Sequence, residues 1–127
     1  MSALLGFPKS KRLLNSSEFT PVFDSPSFKI HHPNFLLLAR FNSLDHPRLG
    51  VVVAKKVMRH AVTRNQCKRA IRESFRNKQH QIPTIDAIVL ARRGSEKLSK
   101  KSLREVLDNV WHRAAKKAAS TAAKVTN

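Results

Sequence analysis

Between Lys55 and Arg76, in "KKVMRHAVTRNQCKRAIRESFR", eight Lys and Arg side chains face a single carboxylate, Glu73. From Arg59 onward five of the six cations are arginines, and planar guanidinium forks suit phosphate oxygens and base edges better than a point charge does. On a helix, which turns about 100° per residue, Arg64, Lys68, Arg72 and Arg76 drift only ~40° per step and share one sector, with Arg69 at its edge. Cys67, Ala70, Ile71 and Ser74 face the other way, Phe75 lies at the border, and that narrower face can pack on a sheet. Like charges four apart are destabilising by roughly a few tenths of a kcal/mol per pair, and Arg64 near the helix start opposes the dipole. A solvated helix face would interleave acids with bases. This one is expected to find its anions in phosphates, so the chemistry is polyanion binding. Asn65 sits on the same ridge with a donor and an acceptor on one amide. It either bonds local backbone at the helix start or contacts RNA, directly or through a hydrated metal ion.

Bond-breaking chemistry by the protein itself has no comparable support. Metal-dependent phosphodiester cleavage needs several carboxylates or histidines converging on divalent ions. The eight acids, Glu18, Asp24, Asp45, Glu73, Asp86, Glu96, Glu105 and Asp108, are scattered, and only Glu105 and Asp108 are close neighbours. His31 and His32 precede Pro33 without further ligands at metal spacing. Cys67 has cationic neighbours but no base, and it belongs to the buried face. No catalytic residue and no protein metal site are expected.

The elements that must position the ridge follow from periodicity. "SSEFTPVF" is a short amphipathic helix with Ser16 or Ser17 ahead of Glu18 and with Phe19, Val22 and Phe23 on one side. A short edge strand fits around Phe28 to Ile30. "NFLLLARFN" and "RLGVVVAKK" read as strands joined by "SLDHP" into an antiparallel hairpin. A helix from Ala61 or Thr63 to about Gln79 is closed off by Pro83. "AIVLARR" is a further strand, ending at Gly94. Leu103, Val106, Leu107, Val110, Trp111 and Ala114 make a sharp amphipathic helix, capped by Ser99 or Ser102. The fold class is therefore α+β, one sheet packed with helices in a two-layer sandwich. A single domain over 1–127 is expected, with a flexible arm at 1–10 and a disordered basic tail at 116–127.

With 25 Lys and Arg against 8 Asp and Glu the formal charge is +17, and nucleic acid is the leading partner. The apolar runs "FLLLARF" and "LGVVVA" are strand-sized, far short of the ~20 residues of a spanning helix. No secretory segment is legible at the N-terminus, and a lone cysteine rules out an internal disulfide. A cytoplasmic, monomeric protein without membrane contact is expected.

The run "LGVVVAKKVMRHAVTRNQCKRAIRESFR" resembles the signature of the bacterial ribonuclease P protein subunit. There a strand ending in two lysines leads into a helix carrying Arg-Asn-Arg, then Lys-Arg and another Arg. Arg64, Asn65, Lys68, Arg69 and Arg72 match; Gln66 stands where the family has its second Arg, which bears on one cationic contact and leaves the others. The likeness extends through "KRLLNSSEFTPVF", "FLLLARF", "AIVLARRGSEKLS" and the last helix, about residues 9 to 115.

The resemblance implies a four-stranded mixed sheet in α-β-β-β-α-β-α order with a left-handed β-α-β crossover, against the general right-handed preference. It implies an accessory subunit of an endoribonuclease whose RNA cuts the 5′ leader from precursor tRNA, with Mg²⁺ bound mainly by that RNA. Ribonuclease P RNA would be contacted by Lys55, Lys56, Arg59, Arg64, Asn65, Lys68, Arg69, Arg72 and Arg76. The precursor tRNA leader would lie in a cleft with Phe19, Phe23 and Leu38, flanked by Arg12 and Arg92. From spacing alone Phe19 and Phe23 fit plain core as well as base stacking, worth ~1–3 kcal/mol per base. Two other classes fit the charge. One is a ribosomal protein or general RNA chaperone; the other is a DNA-binding regulator, although the strands before the basic helix leave no helix-turn-helix pairing.

Overall fold

The structure is a computed structural model and describes residues 8–126. The expected N-terminal arm falls outside the described residues up to position 7, and Lys9–Lys11 form a 3-10 turn.

Helix α1, Ser16–Asp24, is capped by Asn15 rather than by a serine. The Asn15 side chain accepts from Glu18 N at 3.2 Å, and Glu18 Oε1 accepts from Leu14 N at 2.6 Å. Reciprocal bonds of this kind satisfy amides that the first turn leaves without partners. Strands β1 (Phe28–His31) and β2 (Phe35–Phe41) form an antiparallel hairpin with Phe28 opposite Ala39 and His31 opposite Leu36. Strand β3 is Arg48–Val52, helix α2 is Ala61–Lys78, strand β4 is Ile85–Ala91 and helix α3 is Lys100–Thr126.

The strand order is β1-β2-β4-β3. β4 pairs antiparallel with β2, placing Leu37 opposite Val89, and parallel with β3, placing Leu49 opposite Ala87. The expected hairpin between β2 and β3 is therefore absent: β4 occupies the place between them. The signal for β4 is its burial. All but one of its residues are buried, as a strand covered on both faces must be.

One face of the sheet carries the larger core. Phe28, Ile30, Leu37, Ala39, Leu49 and Val89 pack against Cys67, Ile71 and Phe75 of α2 and against Leu103, Leu107, Val110, Trp111 and Ala114 of α3. The Phe75 and Trp111 rings meet at 5.6 Å, and Trp111 Nε1 donates to Ser74 Oγ at 2.9 Å, so the indole is buried with its polar atom satisfied. The other face carries a smaller core of Leu13, Val22, Leu38 and Ile88 beneath α1.

Ser99 caps α3, its Oγ accepting from Ser102 N at 3.1 Å. The helix does not end where its apolar stripe weakens. It runs to Thr126 and Ala118 is buried, so helix stands where the sequence suggests a disordered tail from 116. Alanine-rich sequence needs little tertiary support to extend an established helix.

Candidate RNA interface

α2 presents the cations, but its crest is not the column that four-residue spacing suggests. Opposite the buried Cys67 and Ile71 lie Asn65, Arg69, Arg72 and Arg76, within about 60° of one another at 100° per residue. Asn65, Arg69 and Arg72 are exposed, whereas Arg64 and Lys68 stand half-buried on the flank. Asn65 lies in the second turn of α2, beyond the helix start, and faces solvent.

Arg64 has a second occupation. Its Nη1 donates to the carbonyls of Met58 at 3.1 Å and Arg59 at 2.9 Å, tying down the connection from β3 to α2. His60 provides no side-chain cap, so Arg64 does the work of fixing the entry to the helix. Lys55, Lys56 and Arg59 are exposed on that connection, and buried Met58 anchors it to the core. The acid in this region is Glu73, 3.6 Å from Arg76, with both side chains about half in solvent. A pair so exposed is worth well under ~1 kcal/mol and leaves the ridge positive.

Arg12 joins α2. Its backbone bridges to Leu49, Leu13 N donates to Leu49 O at 3.0 Å, and Lys11 Nζ reaches Gln79 Oε1 at 2.7 Å. These bonds lay the N-terminal segment alongside the helix. Arg12 then lines a groove of about 460 Å³ with Asn65, Arg69, Arg72, Glu73 and Arg76. It stands with the α2 cations, on the β3 side, while Arg92 leaves β4 beside the β1–β2 turn. The expected pair of arginines flanking one cleft is not brought together.

On the α1 face, Phe19 and Phe23 stack with centroids 6.3 Å apart and planes at 21°. Phe23 is 43% exposed, while Phe19 is half-buried against the sheet at Gly50, where an added Cβ would lie 2.6 Å from Phe19 Cζ. A glycine is needed there because the ring rests on the backbone itself. Leu38 is 6% exposed and packs with Leu13, Val22 and Ile88. It forms the floor under α1 and offers no open stacking surface.

What fixes α1 on the sheet is an arginine that sequence reasoning passes over. Arg48 binds Asp86 through Nε–Oδ1 at 2.8 Å and Nη2–Oδ2 at 2.7 Å, and Glu18 Oε2 through Nη1 at 3.0 Å. Asn42 Nδ2 donates to the same Asp86 Oδ1 at 2.9 Å. Hydrogen bonding to Asp86 raises the Arg48 pKa above its already high ordinary value. The register that places Arg48 opposite Asp86 depends on β4 lying beside β3, so spacing along the chain could not signal it.

Besides Glu73, four of the eight acids are engaged by other groups: Asp45 by His46 at 2.7 Å, Glu96 by Gly94 N at 2.8 Å, and Glu18 and Asp86 by Arg48. Among the described residues no three His, Cys, Asp or Glu side chains gather as a metal site. Burial pushes the Cys67 thiol up to about 11, far from a nucleophile's range. None of the described helices is long and apolar enough to cross a membrane. What the surface can do is bind a polyanion through α2 and hold something flat or apolar beside Phe19 and Phe23.

The chain is similar to known proteins over most of its length. The sequence model of the family described as Ribonuclease P matches residues 7–115. The ribonuclease P protein component of Saccharophagus degradans is 54% identical over 112 residues, covering 88% of this chain and 83% of the relative. That of Escherichia coli O157:H7 is 46% identical over 109 residues, covering 86% and 91%. Among solved structures, the RNase P protein of Staphylococcus aureus superposes with a TM-score of 0.78 at 31% identity, covering 84% of this chain and 96% of that one. The RNase P protein of Thermotoga maritima gives 0.71 at 32% identity, covering 80% and 96%.

Proposed function

The chain belongs to the ribonuclease P protein family, and we propose from that premise how its two surfaces divide the work of an accessory subunit of an endoribonuclease. The α2 crest of Asn65, Arg69, Arg72 and Arg76, its flank of Arg64 and Lys68, and the loop cations Lys55, Lys56 and Arg59 lie against ribonuclease P RNA. Arg12 is assigned to this surface. The α1 face, with Phe19 and Phe23 above Leu38 and with Arg92 at its far end, holds the single-stranded 5′ leader of precursor tRNA. The observation that carries the reading is the exposed guanidinium crest of α2, left uncompensated by the acids around it.

In this division the protein breaks no bond. The acids engaged by Arg48, His46 and the Gly94 amide do not fit a metal centre, so the Mg²⁺ of the reaction is assigned to the RNA. The protein screens phosphates where two RNAs approach and grips the leader, which raises substrate affinity and favours Mg²⁺ binding nearby. It works as a monomer in the free state and in the cytoplasm.

The test is reconstitution. The protein is mixed with a bacterial ribonuclease P RNA and precursor tRNA at low Mg²⁺. Stimulated cleavage at the mature 5′ end supports the reading, whereas tight RNA binding without stimulation would leave a general RNA-binding protein.

A further inference from the structure

A second cationic surface assembles at the corner where the β1–β2 turn meets the exit of β4. Arg92 N donates to Asn34 O at 2.9 Å, and Ser95 Oγ donates to Arg92 O at 2.6 Å. Gly94, with φ of 99°, turns the chain against Asn34. The Arg92 guanidinium lies 3.2 Å from His31 Nδ1. His31 alternates with the buried Phe28 and Ile30, so it stands on the α1 side of the sheet, at the edge strand.

Next to it, His32 Nδ1 accepts from Asn34 N at 3.0 Å, which leaves Nε2 as the protonated nitrogen of the neutral ring. Its pKa is held below the ordinary 6.5 by burial and by the positive charges of Arg113 and Arg92. Arg113 comes from α3, which packs along β1. After Asp108 the sequence has no acid, and His112, Arg113, Lys116 and Lys117 are all exposed. Two elements, the exit of β4 and α3, therefore bring the positive charges of Arg92 and Arg113 to one corner, beside the His32 imidazole of the β1–β2 turn. That arrangement is unfavourable for the isolated protein and is relieved by an anion.

We propose that Arg92, His32 and Arg113 form an RNA-phosphate contact for the distal part of the precursor tRNA leader, after it has crossed the α1 face of the sheet. The inference rests on the assignment of that face to the leader. Direction favours the leader over the catalytic RNA: His31 and Arg92 continue the α1 face across β1, on the edge remote from the α2 crest, since β3 and β1 are opposite edges of the sheet.

The experiment uses full-length protein assembled with ribonuclease P RNA, titrated against precursor tRNAs carrying a long leader or one trimmed to a few nucleotides. Arg113→Ala is expected to weaken long-leader binding about three- to fivefold and to lower its salt slope by about 0.7, with the trimmed substrate unchanged. Arg113→Gln, equally compatible with a helix, serves if alanine perturbs α3 by circular dichroism. A phosphate beside His32, faced also by His31, Arg92 and Arg113, favours its protonation, so wild-type affinity for the long leader rises from pH 8 to pH 6 and His32→Gln removes the rise. Equal losses on both substrates, no loss, or a loss confined to ribonuclease P RNA binding would each overturn the proposal. Failure of the wild-type protein to stimulate cleavage would instead overturn the reading beneath it.

Discussion

Arg48 on β3 and Asp86 on β4 are joined side by side, with Nε–Oδ1 and Nη2–Oδ2 bonds of 2.8 and 2.7 Å, and the third arm of the same guanidinium ties Glu18 of α1 to the sheet. Two carboxylates on different elements thus share one cation.

Removing that cation's main partner has a calculable consequence. Breaking a buried ion pair costs ~3–5 kcal/mol. Arg48 keeps 21% of its side chain in solvent, so Asp86→Ala is expected near the lower end, about 3 kcal/mol. Urea unfolding followed by circular dichroism measures it; a drop in stability below about 1 kcal/mol would show that the bidentate pair contributes little. Arg48→Lys should fare almost as badly, because an ammonium cannot span both oxygens.

Gly50→Ala tests the seat of Phe19. The new methyl would lie 2.6 Å from the ring, so the ring must lift away from β3. Overpacking of this kind costs ~1–3 kcal/mol. The expected outcome is a folded protein with weakened affinity for precursor tRNA and unchanged affinity for ribonuclease P RNA, read by parallel binding titrations.

The α2 cations should separate into two classes. Arg69→Ala with Arg72→Ala leaves stability within roughly 0.5 kcal/mol, because both side chains are exposed, and lowers the salt slope of RNA binding by about 0.9 for each duplex phosphate that the variant no longer neutralises. Arg64→Ala removes two bonds to main-chain carbonyls and should cost about 1–2 kcal/mol of stability as well as affinity. Equal stability for the two proteins would remove the structural role given to Arg64.

Cys67 should resist thiol reagents. With its pKa raised to about 11 by burial, the thiolate fraction at pH 8 is roughly one in a thousand. Colour release from a disulfide reagent is expected only on addition of denaturant. Prompt labelling of the native protein would mean that α2 opens from the sheet.

The elements legible in the sequence are those with a local period. α2 and α3 show in their apolar spacing, and β2, β3 and β4 in their β-branched and aliphatic runs. Strand order does not, because the insertion of β4 between β2 and β3 is a long-range pairing that no hairpin signal encodes. The same blindness hides Arg48, whose partner lies 38 residues away. Charge counting identifies the α2 ridge, but only geometry separates Arg64, which bonds main chain on the flank, from Arg69 and Arg72 on the exposed crest. Leu38, which family likeness assigns to a leader cleft, is 6% exposed and packs with Leu13, Val22 and Ile88 beneath α1, a burial that spacing along the chain does not reveal. The extension of α3 is invisible to a search for stripes because alanine and lysine sustain a helix without one.

The position of β4 has a consequence for biosynthesis. As the chain emerges, β2 and β3 are complete long before residues 85–91 exist, and neither can pair with the other across the gap that β4 fills. A ribosome stalled upstream of Ile85 therefore holds a nascent chain with two naked strand borders and a half-covered apolar layer, a species prone to self-association.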